Sequence, residues 1–302
     1  MVGRFAPSPT GDLHLGNLRT ALLAWLFARS EGGTFLVRME DLDRVQASAE
    51  HERSQLADLA ALGLDWDGEV VRQSERFDLY EAAIDRLDAA GLVYPCYCTR
   101  REIREATAAP HDGPAPEGTY PGTCRSLTRR ERFEREEAGR PPALRLKADI
   151  GEVTVEDILV GSITALVDDV VLRRNDGVPA YNLAVVVDDA VQGIDQVVRG
   201  DDLASSTPRQ AHLADLLGLA RPVYAHVPLV LGPTGQRLAK RDGAVTLADL
   251  AALGIGPAAV LRELAVSLRL ALPGEPVTAA DLLYRFEPSL LPSAPWIYQA
   301  GQ

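Results

Sequence analysis

The chain has 302 residues, of which 46% are apolar and 25% are charged, and its formal net charge at pH 7 is −12. These values are typical of a soluble globular protein with room for about two domains. The acidic balance argues against non-specific nucleic-acid binding by the chain as a whole, but a local basic face could still contact RNA. No apolar run is long enough to span a bilayer, and the first residues lack the layout of a signal peptide. We therefore predict a cytoplasmic protein without membrane association.

The first motif is RFAPSPTGDLHLGN, residues 4–17. It begins like a strand, breaks on prolines and a glycine, and leads into an apolar pattern of helical spacing. A helix that begins after such a turn presents unpaired N–H groups and a positive dipole end, which suit a phosphate. Gly16 would allow close backbone approach, and His14 could donate to a phosphoryl oxygen. An ordinary turn before an ordinary helix would show the same pattern.

Strands and helices then alternate, as in the first half of a doubly wound nucleotide-binding fold. Glu40 and Asp41 follow the strand at 34–39. Ligands of open α/β sheets bind beyond the carboxyl ends of the strands, so these acids are candidate ligand contacts. Solvation of a loop, or a helix N-cap, would explain them equally well. Helices are predicted at 18–30, 54–64 and 76–92.

The three cysteines, Cys96, Cys98 and Cys124, lie in one short segment. The Cys-x-Cys pair cannot easily reach disulfide geometry, and clustered thiols in a cytoplasmic protein favour a structural zinc ion. A fourth ligand could be His111 or Tyr120. Spacing alone favours His111, because a tyrosine ligand must lose a proton whose ordinary pKa is about 10. Three buried thiols without a metal are the alternative.

Residues 95–180 depart from the alternating pattern and are predicted to be an inserted subdomain. The nucleotide-fold pattern returns at Tyr181 and includes a strand at 196–199. A helix follows at 205–217, with Thr207 and Pro208 as its cap and first residue. The insertion is predicted to hold a charged helix at 127–138 and strands at 143–147, 153–158 and 163–173.

RFAPSPTG, followed by HLGN and RTALLAWLFAR, resembles the opening of the glutamyl group of class I aminoacyl-tRNA synthetases. HLGN stands where this family has its HIGH-type signature, with Asn17 in place of the last histidine. The basic segment RLAKR, residues 237–241, stands where the family has its KMSKS-type signature, although alone it would indicate only solvated surface. Arg237 replaces the first lysine of that signature, and Ala239 replaces the usual serine.

The resemblance implies a Rossmann-type catalytic domain that binds ATP with Mg²⁺ on the phosphates. It implies catalytic roles for His14 and Lys240, and ATP contacts from His14, Gly16, Asn17 and Lys240. It also favours Tyr120 as the fourth zinc ligand, since shortened family members carry the same C-x-C…Y-x-x-x-C pattern. The loss of a hydroxyl at Ala239 affects the expected rate and not the type of reaction.

The same resemblance implies a glutamate site. A carboxylate such as Glu40 suits the α-ammonium group, Arg4 and Arg199 can each form a two-pronged pair with a carboxylate, and Ser8 and Tyr181 supply hydroxyls. The implied substrate contacts are Arg4, Phe5, Ala6, Pro7, Ser8, Glu40, Tyr181 and Arg199.

The resemblance extends to about residue 270 and favours the shortened members of the family, for which no anticodon-binding domain is expected. Those members activate L-glutamate without tRNA and transfer it to the cyclopentenediol of queuosine in tRNA-Asp. A shortened ordinary synthetase that charges tRNA-Glu, a non-catalytic RNA-binding module and an unrelated nucleotidyltransferase are the alternatives. We expect a monomer with two halves of the catalytic domain at 1–94 and 181–242, a zinc-containing insertion at 95–180 and a helical, stem-contact-like region at 243–302.

Overall fold

The computed structural model describes residues 1–99, 101–103, 120–238 and 245–299. Strands and helices alternate through most of this part of the chain. The strands are β1 (Val2–Phe5), β2 (Thr34–Met39), β3 (Val71–Arg72), β4 (Val93–Cys96), β5 (Ala143–Leu146), β6 (Glu152–Asp157), β7 (Gly161–Leu166), β8 (Val171–Arg173), β9 (Gln196–Gly200), β10 (Val223–Val227), β11 (Val230–Leu231) and β12 (Trp296–Ile297). The helices are α1 (Leu15–Ser30), α2 (Ala49–Ala61), α3 (Phe77–Ala89), α4 (Arg129–Glu137), α5 (Tyr181–Val191), α6 (Thr207–Leu216), α7 (Leu247–Ala252), α8 (Pro257–Ser267) and α9 (Ala279–Leu283).

The main sheet has seven strands in the order β3-β2-β1-β9-β10-β6-β7. All neighbours from β3 to β6 are parallel, and β6 and β7 form an antiparallel hairpin at the edge. The predicted α/β fold with a parallel sheet is therefore confirmed. Because β1 lies between β2 and β9, its carboxyl end opens at the centre of the sheet, where the predicted first motif begins.

Helix α1 packs in the middle of the largest core cluster. Eleven of its sixteen residues are buried, since apolar residues occupy nearly every side of the helix. Its neighbours include Phe5 and Val198 from the main sheet and Leu264 and Leu282 from the C-terminal helices. The core thus fixes α1 between the sheet and the region from 247 onwards, and no described helix is long and apolar enough to cross a membrane.

The hairpin β6–β7 lies in a different sheet from the one we expected. We predicted it within the inserted subdomain, but β6 pairs with β10 of the main sheet. The inward side chains Val153 and Val155 alternate with polar ones and pack against Ala211 and Tyr224, which gives the hairpin an apolar surface to cover. Among the described strands, β4, β5 and β8 alone form the separate antiparallel sheet beside the cysteines.

Helix α6 begins one residue earlier than its predicted cap implies. Ser206, and not Thr207, is the N-cap residue, and Pro208 lies in the first turn as expected. The Thr207 hydroxyl is directed to a buried arginine instead. The far end of the described chain returns to the main body, because β12 pairs in parallel with β11.

Candidate functional site

A cavity of about 680 Å³ lies at the carboxyl ends of β1, β2 and β9. The residues predicted from the first motif and from Glu40, Tyr181 and Arg199 surround this one space, although they come from distant parts of the chain. Those of the predicted residues that line it are Arg4, Phe5, Ala6, Pro7, Ser8, His14, Gly16, Asn17, Glu40, Tyr181 and Arg199. Lys240, Ala239 and His111 lie outside the described residues.

His14 is the N-cap residue of α1. Its Nδ1 accepts hydrogen bonds from the N–H groups of Gly16 (3.0 Å) and Asn17 (3.2 Å), and Asn17 Oδ1 accepts from the His14 N–H. The Leu15 N–H donates to the carbonyl of Val245. Burial lowers the pKa of His14, which favours the neutral ring that this cap requires. With Nδ1 as acceptor, Nε2 carries the proton and is the ring's donor.

This geometry corrects one expectation about the helix N-terminus. We expected unpaired amides there, but the first-turn N–H groups of α1 are already bonded within the protein. An anion at this end of α1 would meet the His14 Nε2–H and the helix dipole. Gly16 has a local reason as well, because a Cβ at this position would lie 2.8 Å from His14 Cε1. The glycine therefore makes room for the capping ring.

A buried cluster of charges lies beneath the cavity floor. Asp189 accepts from Arg4 Nε (3.2 Å) and from Arg38 Nη1 (2.7 Å), and Arg38 Nη2 lies 3.3 Å from Glu40 Oε1. The neighbouring Asp188 accepts from Gln73, Arg76 and Tyr80. Arg38, Asp188 and Asp189 are not among the residues that the sequence predicted for the site. Their signals were a charge within the apolar strand TFLVRM and an acidic pair within the apolar helix segment AVVVDDAV.

The two arginines predicted to bind carboxylates, Arg4 and Arg199, differ in whether a protein carboxylate already pairs with them. Arg4 is not free to form a two-pronged pair with a ligand, because its Nε and Nη2 both face Asp189. Burial disfavours the charge of Asp189, yet Arg4 and Arg38 outweigh burial and lower the pKa of its carboxyl. Burial raises the pKa of Glu40, with Arg38 and Arg4 opposing that rise. Of the acids in this cluster, Glu40 lines the cavity, whereas Asp188 and Asp189 do not.

Arg199, in contrast, has no protein carboxylate as a partner among the described residues. It is 5% exposed, and its nitrogens donate to His226 Nε2 (3.0 Å), Gln210 Oε1 (2.9 Å) and Thr207 Oγ1 (2.9 Å). Its guanidinium also lies 5.5 Å from the ring centre of Tyr224. These partners are neutral, and in the described part of the chain no carboxylate lies within ion-pair distance of Arg199. Each of the three nitrogens of Arg199 already donates within the protein, so the expected two-pronged pair is not free to form here either. Arg199 differs from Arg4 in its charge: it is a buried cation at the cavity wall whose charge a carboxylate ligand would balance.

The three cysteines form a second constellation, away from the cavity. All three are free thiols whose sulfur atoms lie within 4.8 Å of one another, with Cys98 and Cys124 Sγ 3.4 Å apart. Tyr120 Oη lies 3.3 Å from Cys96 Sγ and 3.7 Å from Cys98 Sγ. A hydrogen bond from the Cys96 thiol lowers the pKa of Cys124 to about 6. Four soft or ionisable donors at such spacings suit a tetrahedral metal ion.

Comparison with known proteins defines the class. Residues 1–271 match the family of tRNA synthetases class I (E and Q), catalytic domain. A solved glutamate tRNA ligase from Elizabethkingia meningosepticum, in complex with its amino acid, superposes with a TM-score of 0.85 at 29% identity, over 99% of this chain and 67% of that chain. The chain belongs to this class I synthetase family.

Two relatives show which group within the family the chain is more similar to. The glutamyl-Q tRNA(Asp) synthetase of Nocardia farcinica is 63% identical over 98% of this chain and 92% of its own length. The glutamate–tRNA ligase of Oleidesulfovibrio alaskensis is 47% identical over 87% of this chain and 56% of its own length. Within the family, the chain groups with the glutamyl-Q tRNA(Asp) synthetases.

Proposed function

We propose that this protein activates L-glutamate with ATP and transfers the glutamyl group to the cyclopentenediol of queuosine in tRNA-Asp. One observation carries the proposal: Arg199 and the Glu40 carboxylate both line the same cavity. Arg199 is a buried cation without an acidic partner among the described residues. An amino acid with a second carboxylate matches both charges. The name of the Nocardia farcinica relative supports the nature of the acceptor.

In the proposed complex, Glu40 faces the α-ammonium group of glutamate. Arg199 binds the side-chain carboxylate, and the hydroxyls of Tyr181 and Ser8 donate hydrogen bonds to the substrate. Arg4 supplies its remaining Nη1 and, through its pair with Asp189, fixes the cavity floor. The segment Phe5–Pro7 contributes the backbone and side chains that line the same wall.

Activation needs positioning and charge stabilisation. The α-carboxylate of glutamate attacks the α-phosphorus of ATP in line, pyrophosphate leaves, and a glutamyl-adenylate results. His14 would donate from Nε2 to a phosphate oxygen, and the positive end of α1 would stabilise the same charge. We assign Lys240 the partner role on the phosphates, with Gly16 and Asn17 shaping the ATP pocket. Mg²⁺ bound with ATP would neutralise phosphate charge.

Transfer completes the reaction. A hydroxyl of the cyclopentenediol attacks the acyl carbon of the adenylate, an ester forms, and AMP leaves. We propose that the region 243–302 contacts the tRNA stem and that residues 95–180 form the zinc-containing insertion, apart from the hairpin β6–β7. In that insertion Cys96, Cys98, Cys124 and Tyr120 would hold one zinc ion, whose role is to order the small sheet.

The deciding experiment measures ATP-dependent transfer of radiolabelled glutamate to three purified tRNAs. These are tRNA-Asp with queuosine, tRNA-Asp without it, and tRNA-Glu. Label only on queuosine-bearing tRNA-Asp, retained after removal of the 3′-terminal nucleotide, is the expected result. Label at the 3′ end of tRNA-Glu would instead identify a shortened glutamate–tRNA ligase.

A variant pair tests whether the cavity performs the activation. Arg199→Ala should abolish glutamate-dependent exchange of pyrophosphate into ATP while ATP binding is kept. Arg221→Ala, which removes a surface arginine paired with Asp215, should leave exchange intact. Absence of exchange in the unmodified protein, together with absence of transfer, would support a non-catalytic RNA-binding module.

A further inference from the structure

A chain of buried hydrogen bonds lies behind Arg199. Arg199 Nε donates to His226 Nε2 over 3.0 Å, and His226 Nδ1 lies 2.7 Å from Asp157 Oδ2. The side chains of His226 and Asp157 are fully buried. Neither residue lines the cavity, so neither can touch a substrate there.

The hydrogen bonds to Asp157 fix the position of its carboxylate. Oδ1 accepts from the N–H groups of Leu159 (2.8 Å) and Val160 (3.0 Å) in the turn of the β6–β7 hairpin. Oδ2 accepts from the backbone N–H of His226 (3.0 Å) and lies 2.7 Å from its ring Nδ1. A carboxylate held by three backbone N–H donors has only acceptor capacity to offer the imidazole.

Three polar neighbours contact the His226 ring, and Asp157 and Arg199 determine its tautomer. The third, Thr207 Oγ1, lies 3.2 Å from Nε2, accepts from Arg199 Nη2 and can donate its own proton to the Nε2 lone pair. Because Asp157 accepts at Nδ1, the ring proton lies on Nδ1, and Nε2 keeps a lone pair. Arg199 can only donate, so its Nε–H requires that lone pair. A proton on Nε2 would place two donors 3.0 Å apart.

A comparison with Arg4 shows what this arrangement achieves. Asp189 holds Arg4 directly, and the two charges cancel. Arg199 is held as firmly, but by a neutral imidazole, an amide and a hydroxyl. Asp157, the acid at the end of this series of hydrogen bonds, is separated from Arg199 by the whole imidazole ring of His226. The orientation of Arg199 is therefore fixed without neutralising its charge.

We propose that His226, in the tautomer set by Asp157, is a positioning residue that holds Arg199 for the side-chain carboxylate of the amino-acid substrate. The proposal rests on the proposed function, because it assumes that Arg199 binds this carboxylate. His226 and Asp157 would thus contribute to the substrate specificity of the site, and both would act through Arg199.

Two substitutions of His226 separate its two hydrogen bonds. His226→Asn keeps a donor near the position of Nδ1 and removes the acceptor for Arg199. We expect its KM for glutamate in pyrophosphate exchange to rise about 10- to 100-fold, as for the loss of a hydrogen bond to a charged group, with the KM for ATP unchanged. His226→Gln places an acceptor near the position of Nε2 and should recover most of the affinity for glutamate.

Asp157→Asn tests the tautomer. Its amide would donate to Nδ1, move the ring proton to Nε2 and raise the KM for glutamate as His226→Asn does. In the unmodified protein, ¹⁵N NMR should show a protonated Nδ1 and an unprotonated Nε2 for His226, assigned from the signals lost in His226→Gln. The control is His212→Asn on helix α6, a buried histidine whose charged neighbours are Asp215 and Arg221. Its KM for glutamate should not change.

Equal losses in His226→Asn and His226→Gln, with lower melting temperatures and a rise in both KM values, would reduce His226 to a structural residue. A protonated Nε2 in the unmodified protein would also overturn the proposal. If the unmodified protein shows no glutamate-dependent exchange at all, the proposed function fails first, which is a distinct result.

Discussion

At the scale of single residues, His14 shows how one ring can serve both the helix and the site. Its Nδ1 caps α1, which leaves Nε2 as the donor near the cavity. The cap requires the neutral ring, because a protonated Nδ1 cannot accept a hydrogen bond, whereas Nε2 donates in either protonation state. Protonation of His14 would therefore remove the helix cap without removing the donor at the cavity.

The first prediction concerns pH. Burial lowers the pKa of folded His14 below the ordinary 6.5. The unfolded chain then binds the proton more strongly, so the stability from neutral His14 is complete above pH 6.5 and is lost as the pH falls through the folded-state pKa. As the pH falls below 6.5, the melting temperature of the unmodified protein should fall relative to that of His14→Asn, which caps without titrating. Parallel melting curves would contradict the prediction.

The second prediction concerns Gly16. In Gly16→Ala the new Cβ would lie 2.8 Å from His14 Cε1 and displace the capping ring. We expect a loss of roughly 0.5–2 kcal/mol in the free energy of unfolding, as for other lost N-caps, and slower adenylate formation. Urea unfolding and pyrophosphate exchange measure the two effects.

Gly151→Ala is the matched control for Gly16→Ala. No atom lies within 4 Å of its added Cβ, and Gly151 has an ordinary backbone conformation. Equal behaviour of the two alanine variants would show that the space beside His14 is not limiting.

At the scale of secondary-structure elements, the neighbouring strands β1 and β2 and the helix α5 share one buried network of charges. β1 contributes Arg4, β2 contributes Arg38, and α5 contributes Asp188 and Asp189. The side chain of Arg38 is fully buried, and nearby acids raise its pKa above the ordinary value. The packing of α5 near the carboxyl ends of β1 and β2 therefore depends on matched charges as well as on apolar contact.

The third prediction follows from Arg38. Arg38→Met should lower the free energy of unfolding by roughly 3–5 kcal/mol, because it leaves buried acids without a counter-charge. Arg221→Met breaks a partly exposed pair with Asp215 and should cost only about 0–1 kcal/mol. Urea unfolding followed by circular dichroism compares them. Equal midpoints would mean that the Arg38 network adds nothing to stability.

The motifs could predict the elements around the cavity but not the contacts beneath it. His14, Glu40 and Arg199 lie in recognisable segments, and the structure places them at one cavity. The pairing of Arg4 with Asp189 joins residues 185 positions apart, which no local pattern encodes. The hairpin β6–β7 was assigned to the wrong sheet because alternation shows which face of a strand is buried and not what covers it.

At the scale of the whole molecule, the cavity and the cysteine cluster are two separate sites. None of the cysteines, nor Tyr120, lines the cavity. Their sheet, β4-β5-β8, contributes Leu146 and Leu172 to a core cluster shared with Leu183 of helix α5. Ordering of the cysteine region can therefore support the main domain without any contact with the substrates.

The fourth prediction tests the metal. The purified protein should contain about one zinc per chain, as four donors at one point imply. Cys124→Ser should lose the metal, melt at a lower temperature and be cleaved faster by protease within 93–173, while pyrophosphate exchange persists. Elemental analysis and mass spectrometry of the fragments provide the measurements.

Tyr120→Phe removes the proposed fourth ligand and should weaken zinc retention during dialysis against a chelator. Tyr97→Phe is its control, because the hydroxyl of Tyr97 bonds to Glu136 and to none of the cysteines. Equal zinc retention in the two variants would exclude Tyr120 as a ligand.

The central position of β1 has a consequence for biosynthesis. β1 leaves the ribosome before the other described strands, pairs with β2 soon afterwards, and remains unpaired on its other side until β9, which is almost 200 residues away in sequence, has been made. Until then the nascent chain exposes an unpaired strand edge and an arginine, Arg4, without its acid. Such non-local pairing is slow and leaves intermediates prone to aggregation. The strand on which the cavity is built is thus also a strand whose edge stays open to wrong pairing while the chain grows.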